Sequence, residues 1–175
     1  MFEYAYDFTP NVEVSSIDKG YFDVTASRKQ PVEIAETIQR AIRDRLKITV
    51  SEGIAANKLV SQIASKLKKP CAFQYIPSGK EISFLHPLPN FWLPGLGPKT
   101  SQQFDSAGLL NVGQISATPT EMLSLLVGGF APTLKNYANG VDERPVVPIH
   151  VPQNPIRIRK RFHPIRRMRN LSRLF

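Results

Sequence analysis

The chain has 175 residues, enough for one ordinary domain or two small ones, with 42% apolar residues, one cysteine and a formal charge of +9. The lone Cys71 excludes an internal disulfide framework, and no apolar run approaches the roughly 20 residues that span a bilayer. The acidic, aromatic start MFEYAYDF is no secretory signal, so the expected location is cytoplasmic. Charge is unevenly spread: Arg157, Arg159, Lys160, Arg161, Arg166, Arg167, Arg169 and Arg173 fall within the last nineteen residues, and no acid follows Glu143. The remainder holds fifteen cations against fourteen acids, so the total alone does not signal nucleic acid.

In chain order, 12–17 and 21–24 are β-rich, and Asp18, Lys19 and Gly20 between them suit a hairpin turn with Gly20 at positive φ. With the turn at Lys19-Gly20, Ser16 lies opposite Asp23, and Asp18 and Asp23 share a face at a diagonal. Pro31 suits a first helical residue. Ile34, Ala35, Ile38, Ala41, Ile42 and Leu46 then recur at helical spacing, opposite Glu36, Arg40 and Arg43. Residues 48–55 read as a strand. Asn57 is the expected N-cap of a second helix carrying Leu59, Val60, Ile63, Ala64 and Leu67, with Lys66, Lys68 and Lys69 at its cation-favouring end and Pro70 as its stop. A strand at 71–76 follows. The order strand, strand, helix, strand, helix, strand predicts an α+β sheet covered by helices, with an opening strand missing.

From about residue 84 short helices are punctuated by Gly and Pro. Pro98 opens one that closes at Gly108; Thr118 caps another from Pro119 to Gly128; a last one spans about 131–139 and ends at Gly140. Residues 141–155 read as an extended linker.

Two pieces carry chemistry. Leu93-Pro94-Gly95-Leu96-Gly97-Pro98-Lys99-Thr100 has the pattern of a helix-hairpin-helix. Two glycines permit a tight turn that presents backbone N–H groups, the next helix N-terminus attracts a phosphate, and Lys99 adds a charge. A plain interhelical turn is the competing reading. The second piece, 12–25, is by itself a hairpin with one carboxylate, Asp18, at its tip, where aspartate serves commonly as a solvated turn residue. His86, His150 and His163 lack the spacing of a zinc site.

Ser16-Ile17-Asp18-Lys19-Gly20-Tyr21 resembles a palm motif of the Y-family (translesion) DNA polymerases, and Ser51-Glu52-Gly53-Ile54-Ala55-Ala56-Asn57-Lys58 resembles that family's Ser-x-Gly-Ile-Ala-x-Asn-Lys stretch. Ile63 to Pro70, Gly95 to Thr100, and Ala138 to Val146 continue the resemblance, which covers about residues 2–147. It implies a partial, ferredoxin-like palm with an antiparallel or mixed sheet and two helices at 1–82. A small all-α helix-hairpin-helix thumb follows at 83–142, then a linker and basic tail at 143–175. The tail departs from the family and reads as the stub of a little-finger domain or a shifted reading frame.

The family uses Mg²⁺ held by hard carboxylate oxygens. Asp18 matches one of three such acids; Lys19 stands where the family has Glu, and an ammonium cannot ligate Mg²⁺. The third acid belongs to an Asp/Phe-rich strand that the chain does not contain, so the implied metal site is incomplete, and Asp23 is read as structural. Lys58 matches a lysine that contacts the nucleotide triphosphate, with weak dNTP affinity expected because the covering fingers are absent. Gly95, Gly97, Lys99 and Thr100 are the expected contacts to the backbone of primer-template DNA.

Three functions follow. The leading one is a truncated or degenerate translesion polymerase homologue, of the kind used in the SOS response, that binds damaged DNA but does not polymerise alone. The others are a non-catalytic accessory or scaffold with a protein partner, and a subunit of a split polymerase whose palm strand and fingers come from another chain.

Overall fold

The computed structural model describes residues 2–148; Met1, residues 149–155 of the expected linker and the whole basic tail lie outside the described residues. Two small sheets are braced by helices. Strand β1, Val12–Ser16, pairs antiparallel with β2, Lys19–Phe22; β3, Glu52–Ile54, pairs parallel with β4, Phe73–Tyr75. The expected single sheet is thus two separate two-stranded sheets, since nothing described pairs β2 with β3.

The hairpin turns two positions earlier than expected. Ile17 and Asp18 form the turn, Ser16 pairs with Lys19, and Val12 pairs with Phe22, with an irregularity between Val14 and Ser16. Lys19 and Gly20 therefore lie in β2. The expected pairing of Ser16 with Asp23, and with it the shared Asp18–Asp23 face, does not form. Gly20 does not take positive φ; a Cβ there would meet the Glu13 carbonyl oxygen and the Phe2 ring, each at 2.7 Å. Close approach of the preceding strand and an unforeseen 3₁₀ turn at Phe2–Ala5 demands the glycine.

Helix α1, Pro31–Leu46, begins at the proline and buries Ile34, Ile38 and Ile42. Leu46, expected on that face, is exposed, because the helix ends there and Lys47 turns left-handed with φ 57°. Helix α2, Lys58–Leu67, starts where Asn57 caps it: the side chain accepts from the Val60 N–H at 3.0 Å. Its buried face is Leu59, Val60, Ile63 and Ala64. Helix α2 links β3 to β4 in a parallel crossover. It packs so tightly that a Cβ on Gly53 would lie 2.1 Å from the Ser61 carbonyl oxygen.

The helical part holds α3, Glu81–Leu85, a 3₁₀ turn at Asn90–Trp92, α4, Pro98–Ser106, and α5, Val112–Ala117. Helix α6, Thr120–Val127, and α7, Ala131–Ala138, complete it, joined by a 3₁₀ turn at Gly128–Phe130. Gly108 and Gly140 close helical stretches at φ 79° and 75°. Thr118 does not cap α6; its hydroxyl donates back to the Gln114 carbonyl at 2.8 Å, and Pro119 occupies the cap position. Helices α3 and α5 escape the periodicity because each has six residues or fewer. Helix α5 is nevertheless marked by a capping box between Asn111 and Gln114.

Buried apolar residues fall into two clusters. Ala5, Val12, Ile34, Ile38 and Ile42 form one beneath the hairpin. The other runs from Leu59, Val60, Ile63 and Ala64 of α2 through Leu85, Leu93 and Phe104 to Leu134 and Ala138. Helix α2 therefore shares its core with the helical part, and an expected boundary at 82/83 runs through that core. Among the described residues no helix is long and apolar enough to cross a membrane.

Candidate functional site

A groove of about 1030 Å³ lies between the two sheets, with β2 on one wall and β3 on the other. Lys19, Lys58, Lys66, Lys69 and Arg144 line it together with Asp18, Asp23, Glu52, Asp142 and Glu143. Lys58, the first residue of α2, does not reach freely into this space. Its ammonium donates to both Glu13 carboxylate oxygens at 2.8 and 2.6 Å and to the Pro145 carbonyl at 3.1 Å, and it lies 4.9 Å from the centre of the Tyr21 ring. Both charged side chains are nearly enclosed, at 12% and 14% exposure, and the Val147 N–H also donates to Glu13 at 2.8 Å.

This pair fastens the segment after α7 to β1 and to the start of α2. One more bond reinforces the attachment: the Asn57 amide donates to the Gly140 carbonyl at 2.7 Å. Within the segment itself, Arg144 grips Asp142 through two bonds of 2.7 and 2.8 Å. Burial pushes the Asp142 carboxyl up, but the hydrogen bonds from Arg144 outweigh it and hold the group below the usual carboxylate range. Glu13 was not among the residues expected at a site. Its one signal is strand parity: Glu13 pairs with Tyr21 across the hairpin, so a residue that meets the Tyr21 ring also meets Glu13.

Asp18 sits at the exposed turn. The Ser16 hydroxyl donates to it at 2.7 Å, and this bond, with its own backbone N–H, holds the carboxyl below its ordinary value; Lys69 and Lys19 add to the effect. Asp23 accepts from the Thr25 N–H at 2.9 Å and so serves its own turn. Among the described residues no group of three His, Cys, Asp or Glu is placed to hold a metal ion. The donor set around Asp18 is one carboxylate beside lysines, which does not fit Mg²⁺. Lys19 is itself lowered, first by burial and then by Lys66 and Arg144. Glu52 is pushed up to about 8 by burial alone.

The Gly95–Thr100 piece lies on the helical part, apart from the groove's lining. Gly95 takes φ 94°, and a Cβ there would meet the Phe130 ring at 2.6 Å. Gly97 has no such need: its φ is −75°, and a Cβ would meet nothing. Its contribution is to leave the N-terminus of α4 uncovered, beside an exposed Lys99 and a half-buried Thr100. Leu93 and Leu96 anchor the loop in the core. Buried Asn90 fixes its base by accepting from Ser101 at 2.5 Å and donating to Asp105 at 2.7 Å. The element before the loop is the three-residue 3₁₀ turn rather than an α-helix.

Residues 1–66 match the model of the impB/mucB/samB family. DNA polymerase IV of Opitutus terrae is 41% identical over 155 residues, covering 86% of this chain and 40% of the relative. DNA polymerase IV 1 of Bacillus subtilis is 35% identical over 150 residues, covering 85% of this chain and 36% of the relative. The structure of DinB from Sulfolobus solfataricus superposes with a TM-score of 0.77 at 26% identity, covering 84% of this chain and 45% of that one. An insertion ternary complex of Dbh DNA polymerase gives 0.76 at 27% identity, covering 83% and 44%. The chain spans about two fifths of the length of the curated relatives it matches. Over the stretch it shares with these relatives, the chain belongs to the Y-family DNA polymerases.

Proposed function

We propose that the chain is a translesion-polymerase relative that binds the DNA backbone and does not polymerise on its own. The observation that carries this reading is the contrast between its two expected sites. The loop at Gly95 leaves a helix N-terminus and Lys99 open to a phosphate, held rigid by the Asn90 bonds. The groove offers Asp18 beside Lys19, and among the described residues no three acids are grouped there to hold a metal ion. In this reading 1–82 act as a partial palm and 83–142 as the thumb, with Gly95, Gly97, Lys99 and Thr100 as the DNA contacts. Nucleotide binding through Lys58 is weak, because Glu13 already neutralises it.

Binding of a labelled primer-template to the full chain tests this assignment. Lys99→Glu and Gly95→Ala are each expected to weaken binding severalfold on every sequence, since backbone contacts carry no base information. Undiminished binding by both folded variants would overturn the hairpin assignment.

One observation favours a second reading, a subunit of a split polymerase. Strands β2 and β3 each have a single strand partner, and both face the same groove. An extended segment supplied by further polypeptide would pair there. In such a reassembled protein Lys19→Glu should raise metal-dependent synthesis sharply; no gain would mean that Lys19 is not the limiting defect.

A further inference from the structure

The mouth of the groove holds three lysines that, among the described residues, have no carboxylate in ion-pair contact. Lys19 opens β2, Lys66 lies in the last turn of α2, and Lys69 follows it; all three line the groove. Among the described residues the ion pairs are Arg43–Asp44, Lys58–Glu13 and Arg144–Asp142, so none of the three lysines has a carboxylate within 4.0 Å. Asp18 is the acid beside them, and the Ser16 hydroxyl already donates to one of its oxygens.

Lys66 and Lys69 are exposed, and Lys19 stands apart from them in its burial. Lys19 is partly buried, with its ammonium 5.5 Å from the centre of the Tyr21 ring, the ring that Lys58 also approaches. Of the cations that act on Lys19, Lys66 is felt most strongly. The Tyr21 hydroxyl donates to Gln62 of α2 at 2.8 Å, which ties the Lys19 strand to the helix that carries Lys66. Like charges are thus held together by the fold, at a cost that a bound anion would relieve.

We propose that this mouth is a metal-independent anion site, in which Lys19, Lys66 and Lys69 hold a backbone phosphate of a nucleic-acid strand. Ammonium groups are compact point donors arriving from separate elements, a set that suits the tetrahedral oxygens of a phosphate. The inference rests on the nucleic-acid reading above but on different residues. A lysine at position 19 therefore has a use: where a carboxylate would recruit a divalent ion to meet the phosphate, the ammonium meets it directly.

Fluorescence anisotropy of a labelled single-stranded oligodeoxynucleotide with the full chain, in EDTA and across a salt series, tests the site. The double variant K19E/K66E should bind about tenfold more weakly and show a salt slope shallower by about 0.7, as loss of one phosphate contact on a single strand requires. EDTA should leave wild-type binding intact, and inorganic tripolyphosphate should displace the oligonucleotide. The basic tail is common to all variants and cancels in the comparison. If circular dichroism shows that the double reversal unfolds the chain, K19Q/K66Q provides the same comparison with a smaller loss. Unchanged affinity and slope in a folded lysine variant would overturn the proposal, as would binding that vanishes in EDTA or displacement by polyglutamate at equal charge. Loss in Lys99→Glu with no loss in the lysine variant retains the hairpin reading and overturns this one; the reverse pattern supports this one and overturns the hairpin reading.

Discussion

The half of the molecule around the hairpin and the half built of short helices are stabilised very differently. Five buried apolar residues hold β1, β2 and α1, whereas fifteen connect α2 to the helical part. The hairpin half also carries the free edge of β2 and borders the charged groove, features that cost stability rather than supply it. Binding surfaces presented by the helical half therefore rest on a firmer base than anything the groove presents. Amide hydrogen exchange reads this directly: α1, β1 and β2 are expected to exchange well before α2, α4 and α7.

Several substitutions break or sharpen the contrast. Phe104→Ala removes the largest fully buried side chain, which belongs to the larger cluster, and should cost about 3–5 kcal/mol in denaturant unfolding. If α2 truly shares that core, its amides lose protection along with those of α4; unaltered protection of α2 would separate the two. Next in size is the Glu13–Lys58 pair. Lys58→Met strands an enclosed carboxylate and should cost about 3 kcal/mol, while the double change Glu13→Leu with Lys58→Met should recover most of the loss. Failure of the double change to recover stability would mean that the Pro145 and Val147 bonds, rather than the charges, hold the segment.

A pH series probes the groove. The folded pKa of Glu52 is raised by burial to about 8 from an ordinary value of 4.5. Stability from this group is fully present below the unfolded value, where both states are protonated. It declines as pH rises from about 4.5, because only the unfolded chain ionises freely, and the decline levels off above about 8. Glu52→Gln should flatten that slope, with the variant gaining on wild type by about 1–3 kcal/mol at pH 8 and little at pH 4. Equal pH profiles would show that Glu52 is solvated. The smallest effect is at Lys47, where Lys47→Gly should stabilise α1 by a few tenths of a kcal/mol to about 1, because φ is 57° there.

The helices were far more legible in the sequence than the sheets. Pro31, Asn57 and Gly140 announce their helix ends through local chemistry, and the helical period exposes Ile34, Ile38 and Ile42. Strand pairing is a non-local matter. The hairpin turn slipped by two residues because the need for glycine at position 20 comes from Phe2 and from the Glu13 backbone, not from the turn. The separation of the two sheets likewise depends on what does not pair with β2, which no local pattern records. At the site, Asp18, Lys19 and Lys58 were visible through family motifs, whereas Glu13 was not. Glu13 meets Lys58 across 45 positions of sequence, and only the three-dimensional register brings them together. That contact changes the meaning of Lys58 from a free cation to the centre of a latch.

The central claim is that binding is retained where polymerisation is not. Primer extension by the purified full chain, on a lesion-bearing template with all four nucleotides and Mg²⁺, measures it most directly when retention of the primer-template is followed in the same reaction. The expected result is a retained primer-template with no added nucleotides. Robust, Mg²⁺-dependent extension by this chain alone would contradict it.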